Sequence, residues 1–277
     1  MPAATRILQG PSEADALGQN SYQCPLDRRI LSLRTDYMTR TFKELAFLSD
    51  DVEGVRGSMR VKFKDEFAVI EGVANTAVAE LRGISGTFNP NYLVGVAFWL
   101  RCVEACQGAV LLTERGLPTA PFAVLRTALE CLFTACAVWR KPESIARLEQ
   151  QHHFERIQQA QLMMKFQATL GVTHEQIALL KEIASTPRVE KAWTVFDAAS
   201  AAGFEQLYQV AYRGLALGGA HASPRSLDDF WKDEDDGAVG LGLDPSDRQL
   251  TLVLNIVKTC LASGMERHRE ALAAGRI

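Results

Sequence analysis

The sequence predicts an all-α fold, a multi-helix bundle of about nine helices with a long loop ahead of the C-terminal one. Two observations carry the prediction. Apolar residues recur at helical spacing in segment after segment, and no run shows the sustained alternation that a half-buried strand requires. Helix-breaking residues then fall between the periodic segments rather than inside them, as at Asn89-Pro90, Gly116 to Pro118 and Lys141-Pro142.

Residues 1–22 read as a flexible tail, and 23–277 as a single helical domain. Leu26, Ile30, Leu33, Tyr37, Leu45 and Leu48 line one face of a first helix. Asp50 to Ser58, with two glycines, separates it from a second, whose face is Phe63, Phe67, Ile70, Ala74, Ala77 and Leu81. Asn89 and Pro90 precede a third helix, about Tyr92 to Arg115, and Pro121 opens a fourth that Lys141 and Pro142 close. Both are apolar on nearly every side, the pattern of helices at the centre of a bundle, so they are the predicted core. A fifth helix, about Glu143 to Leu170, carries Gln150, Gln151, Gln158, Gln159 and Gln161 and should lie outside. Thr173 with Gln176 forms a capping box that starts a sixth, running to about Ser185. A seventh covers roughly Arg188 to Ala201, and Gly203 separates it from an eighth, Phe204 to Leu217, which breaks at Gly218 and Gly219. Ala222 to Asp247, rich in Asp, Gly, Ser and Pro, reads as a long irregular loop, and Ser246 caps a last helix, Asp247 to about Ala274.

A chain of 277 residues can bury a sizeable core, and 47% apolar with 23% charged residues excludes disordered, collagenous and coiled-coil classes. A net charge of -3 and a pI near 6.0 argue against an extended DNA-binding surface. The N-terminal segment lacks the apolar run of a secretory signal. The most apolar stretch, Tyr92 to Leu100, is interrupted by Gly95 and followed by Arg101 and Glu104, short of the roughly 20 apolar residues of a membrane span. The expectation is therefore a cytoplasmic protein with no membrane partner. Of six cysteines, Cys102, Cys106, Cys131, Cys136 and Cys260 sit in apolar helical patterns and are expected reduced and buried.

Two constellations could carry chemistry. Arg126 and Glu130 stand at i and i+4 on the fourth helix among Phe122, Val124, Leu125, Leu129, Leu132 and Phe133, where desolvated charge persists only with good partners or for a function. Arg101 and Glu104 repeat the theme on the third helix, and together the pairs suggest a polar interior between the two core helices. The second constellation is the string YQVAYRGLALGGAHAS, with Tyr208, Tyr212, Arg213, Gly218, Gly219 and His221. Its glycines allow a sharp turn that sets His221 at a helix end, where an imidazole titrating near pH 6.5 can move a proton or simply cap carbonyls. Three other matches are weak. Arg147 with His152 or His153 fits R-x4-6-H, but chance supplies about one such match in a chain of this composition. Glu149 and His152 lack the second copy that a di-iron bundle needs, and Asp233 to Asp236 has Lys232 and Leu243 where a calcium loop needs ligands. No metal site and no cofactor fingerprint is expected.

PFAVLRTALECLFTACAVW, followed downstream by YRGLALGGAHASPRSL, resembles a bacterial family of all-helical proteins known only as a domain of unknown function. The resemblance rests on Arg126 and Glu130 and on Tyr212 and His221, and spans roughly Ala74 to Leu227. That family usually has serine in the small-residue turn, where Ala216 to Gly219 stand here. The architecture is also similar to HEPN helical bundles, many of them dimeric ribonucleases or nucleotide-binding partners in bacterial defence and toxin systems. That likeness implies a homodimer, with RNA or a small anion as ligand. In such nucleases a histidine handles the 2'-hydroxyl proton while an arginine stabilises phosphate charge. Arg213 and His221 are too far apart in sequence for that motif, so the chemistry would need a pairing in space, of His221 with Arg126 or across a dimer. Two functions follow: a non-catalytic binding or scaffolding module with a polar interior site, or a metal-independent ribonuclease using His221, Arg126, Glu130 and Tyr212.

Overall fold

The computed structural model describes the chain except residues 1–40, 187–192, 234–238 and 276–277. The tail and most of the first predicted helix lie outside the described residues. What remains of that helix is a single turn, α1 (Phe42–Leu45), running into a 3₁₀ turn at Ala46–Leu48. Leu48, expected on a buried face, is 85% exposed. There follow α2 (Val52–Lys62), α3 (Lys64–Arg82), α4 (Pro90–Thr113), α5 (Ala120–Arg140), α6 (Ser144–Lys165), the short α7 (Gln167–Leu170), α8 (His174–Ser185) and α9 (Val195–Ala202). An irregular helix, α10, covers 205–220, and α11 is Leu250–Gly275. The fold is all-α and multi-helical.

The core forms where the sequence is most apolar. Asn89 accepts from the Tyr92 amide at 2.8 Å and Pro90 takes the first helical position, so α4 starts where its punctuation places it. Trp99, Cys102, Cys106 and Ala109 of α4 and Leu125, Leu129, Leu132 and Cys136 of α5 are all sealed from solvent in one apolar cluster. The third wall is α11, through Val253, Val257, Cys260 and Leu261. It closes tightly because Gly264 carries no side chain: a Cβ there would overlap the Trp99 indole. By length and apolarity alone, α4 and α5 could each cross a membrane, against the expectation that no stretch suffices, and 50% and 61% of their apolar windows are buried within the protein.

Burial also sets the thiol chemistry. The five cysteines among the described residues are free and buried, and desolvation pushes Cys136 up to about 12 and Cys102 and Cys131 up to about 11.

Four local expectations need correction. Asp50 to Ser58 is not a linker but most of α2. Interior glycine costs a helix about 1 kcal/mol, and here Arg56 and Arg60, one turn apart, offset it by reaching Glu114. The region 222–247 is not wholly irregular: a 3₁₀ turn (Pro224–Leu227) leads to an antiparallel pair, β1 (Trp231–Asp233) and β2 (Val239–Leu241), with Trp231 opposite Leu241. Three-residue strands are too short to register as alternation. The last helix opens at Leu250 rather than Asp247: Ser246 Oγ accepts from the Arg248 amide at 3.3 Å in the turn ahead of α11, and the Ser246 amide donates to the Gly116 carbonyl at 2.8 Å. Finally, the expected helix start at Arg188 lies outside the described residues, and α9 begins at Val195, behind a capping box of Thr194 and Asp197. The Thr173 and Gln176 box is present as expected, bonded in both directions.

Candidate functional site

The site is built where α5 meets α10. Arg126 and Glu130 are one turn apart on α5, so both project from the same face toward α10. Along α10 the backbone loosens twice into π-helix, at Tyr208–Tyr212 and Ala216–Ala220, a distortion that recurs at functional sites. The first π turn swings Tyr212 inward onto α5. Its hydroxyl donates to Glu130 Oε1 at 2.6 Å and accepts from Arg126 Nη2 at 2.5 Å, so the phenol sits between two charges whose own separation is 3.9 Å. Arg126 also lies 4.0 Å over the Tyr212 ring, and Tyr208 stacks on the other side with centroids 5.1 Å apart. Burial, reinforced by the hydrogen bond to Glu130, pushes the Tyr212 hydroxyl well above the ordinary phenol range. It is a proton holder, not a base.

His221 does not join this cluster. It follows the second π turn in extended conformation, is exposed, and among the described residues has no hydrogen bond to Arg126, Glu130 or Tyr212. The turn ahead of it does need its glycines. Gly219 has φ +154°, and a Cβ there would lie 2.7 Å from the Phe122 ring.

Arg101 and Glu104 also fail their expectation. Both face outward on α4, and the interior between the core helices holds thiols and alkyl groups instead. Arg147 stacks over Trp193 at 5.0 Å, and no group of three metal-binding side chains forms among the described residues.

Two polar clusters escaped the sequence reading. Glu114, at the end of α4, is 0% exposed and takes hydrogen bonds from Arg56 at 2.7 Å, Arg60 at 2.6 Å and Arg115 at 3.0 Å. His268 on α11 is 1% exposed, with Nε2 3.0 Å from the Tyr92 hydroxyl and Nδ1 3.8 Å from Glu80. No signal short of knowing the helix packing would single out either.

Two cavities flank the cluster. One, of about 470 Å³, is lined by Phe98, Glu130, Leu148, Glu149, His152 and Trp193. The other, of about 370 Å³, lies along α10 between the two π turns and the start of α11.

A family model, that of the family of unknown function DUF5677, matches residues 92–238, just over half of the chain. The chain belongs to that family. The DUF5677 span opens at Tyr92 on α4 and includes Arg126, Glu130, Tyr212 and His221, so the whole tyrosine cluster falls within it. It leaves out α2, whose Arg56 and Arg60 bond to Glu114, together with α3 and α11. No curated protein and no solved structure matches the chain.

Proposed function

We propose that this DUF5677 protein is a non-catalytic binding module, a HEPN-like cytoplasmic bundle that works as a homodimer and holds a small ligand beside α10. One observation carries the reading. The Tyr212 hydroxyl is engaged in both directions, donating to Glu130 and accepting from Arg126, so the charged groups a phosphoryl-transfer site would need are already bound to one another. A catalytic arginine must be free to meet charge that develops in the transition state. Here the guanidinium is stacked, hydrogen-bonded to the phenol, and within 3.4 Å of the Tyr212 carbonyl. The cluster fixes the position of α10, and α10 forms one wall of the 370 Å³ cavity.

The test is incubation of labelled RNA with purified protein in EDTA, comparing wild type with His221→Ala and following the fold of both by circular dichroism. The expected result is intact RNA with either protein and an unchanged melting temperature for His221→Ala, since that side chain is exposed. Cleavage by wild type that His221→Ala loses would overturn the module and establish a metal-independent ribonuclease.

A further inference from the structure

The cavity along α10 has an apolar body and a charged end. Phe122, Leu215, Leu252 and Ile256 form the apolar part, while Arg225, Asp228, Asp229 and Arg248 gather at the other. Its volume lies within the roughly 300–1,000 Å³ range of small-molecule sites. One wall is the distorted helix itself, where Gly214 leaves open space: a Cβ there would meet nothing within 4 Å.

The charged end is incompletely satisfied. The Asp229 side chain is 4% exposed, and its Oδ1 is shielded from water with no hydrogen-bond donor. Its ion-pair partner, Arg248 Nη1, stands 3.7 Å away, beyond hydrogen-bonding distance. A buried carboxylate oxygen in that state calls for an explanation, because buried polar atoms are nearly always paired. Arg225 is exposed at the same end and makes no ion pair among the described residues.

We propose that this cavity binds a free α-amino acid with an apolar side chain. The inference rests on the binding-module reading and names its ligand. The ammonium group pairs with the Asp229 carboxylate, the carboxylate meets the guanidinium groups of Arg248 and Arg225, and the side chain packs against Phe122 and Leu252. Charge complementarity selects the zwitterion. A bare amine would leave the Arg225 guanidinium unanswered, and a bare anion would face the Asp228 and Asp229 carboxylates.

The experiment is calorimetric titration of the full chain with L-phenylalanine, set beside 3-phenylpropionate and phenethylamine, each of which carries half of the head group. Saturable binding of L-phenylalanine is expected, with each half-ligand at least about tenfold weaker. Asp229→Asn should weaken L-phenylalanine by about tenfold or more. Because that substitution changes a buried group, Leu252→Trp, at the half-exposed cavity edge, is the second variant and should block binding without unfolding the protein. Absence of saturable binding to wild type, equal binding of phenethylamine, or binding that survives both substitutions would overturn the assignment. RNA cleavage in the EDTA assay would overturn the module itself, whereas intact RNA with no amino-acid binding would overturn the ligand alone.

Discussion

Arg126 and Tyr212 meet twice, once through the face of the phenol ring at 4.0 Å and once through its hydroxyl at 2.5 Å. They lie 86 residues apart in sequence, so this contact joins the central helix α5 to the irregular helix α10 and sets where the cavity wall stands. Glu130 completes the link by accepting the phenol's hydrogen bond, and the helical register that aligns it with Arg126 makes all three contacts compatible.

Removing only the hydroxyl separates the two contacts. Tyr212→Phe should keep the stacked guanidinium but leave Arg126 and Glu130 without their shared partner, at a cost of about 1 to 2 kcal/mol. Arg126→Ala should cost more, because it removes the stacking as well. Urea unfolding of both variants and the double variant checks this. Additive losses would mean that the hydroxyl and the guanidinium do not work as one unit.

Glu114 should be the most sensitive charged position in the protein. It is sealed from solvent and takes bonds from three arginines, which also reach Glu53 and Glu71 on the surface. Glu114→Ala would leave three cations around an apolar void, and breaking a buried pair in this way costs about 3 to 5 kcal/mol. Glu114→Gln restores the shape without the charge and should recover part of that loss. If thermal melting found Glu114→Ala within a degree of wild type, the network would be ornamental.

The helices themselves were legible in the sequence because their signals are local. The Asn89 cap, the Thr173 box and the all-round apolar character of α4 and α5 each need only neighbouring residues to be read. Glu114 was not legible: its partners Arg56 and Arg60 lie 58 and 54 residues upstream, in a stretch whose glycines suggested a linker. His268 was hidden differently, inside the string Glu266-Arg267-His268-Arg269-Glu270, which reads as a solvated face although the helical period turns its centre inward. Of the candidate site, the Arg126 and Glu130 pair and Tyr212 were visible as charge and phenol in apolar surroundings. Their direct contact and the absence of His221 from it depend on the π turns, which leave no periodic trace in the sequence.

Close approach between α4 and α11 depends on one missing side chain. Gly264→Ala would drive a methyl group into the Trp99 indole, which is wholly buried and has no room to move aside. Overpacking of this kind costs about 1 to 3 kcal/mol, and the propensity gained on replacing glycine in a helix returns about 1 kcal/mol at most. The net effect should be a lower melting temperature. Gly72, whose Cβ would meet nothing within 4 Å, is the control: Gly72→Ala should raise stability or leave it unchanged. Equal shifts at the two positions would contradict the packing.

His268 should make the fold acid-sensitive before its carboxylates do. Burial lowers the His268 pKa from its ordinary 6.5, and this outweighs the opposing pull of Glu80, whose Oε2 is 3.8 Å from Nδ1. With the folded value below the unfolded one, the unfolded chain binds the extra proton first, so stability is fully present above pH 6.5. It is then lost as the pH falls from 6.5 through the lowered folded value, below which no further loss comes from this group. Among the described residues Nδ1 has no hydrogen-bond partner and Tyr92 already occupies Nε2, so protonation adds a buried charge whose nearby carboxylate is Glu80. Urea unfolding at about pH 7.5, 6.5 and 5.5 should show a falling free energy in wild type. His268→Gln, which can still bond to the Tyr92 hydroxyl, should be less stable at the highest pH because it loses the ring contacts with Tyr92 and Trp139, yet nearly flat across the same window. Parallel slopes in the two proteins would assign the acid sensitivity to other groups.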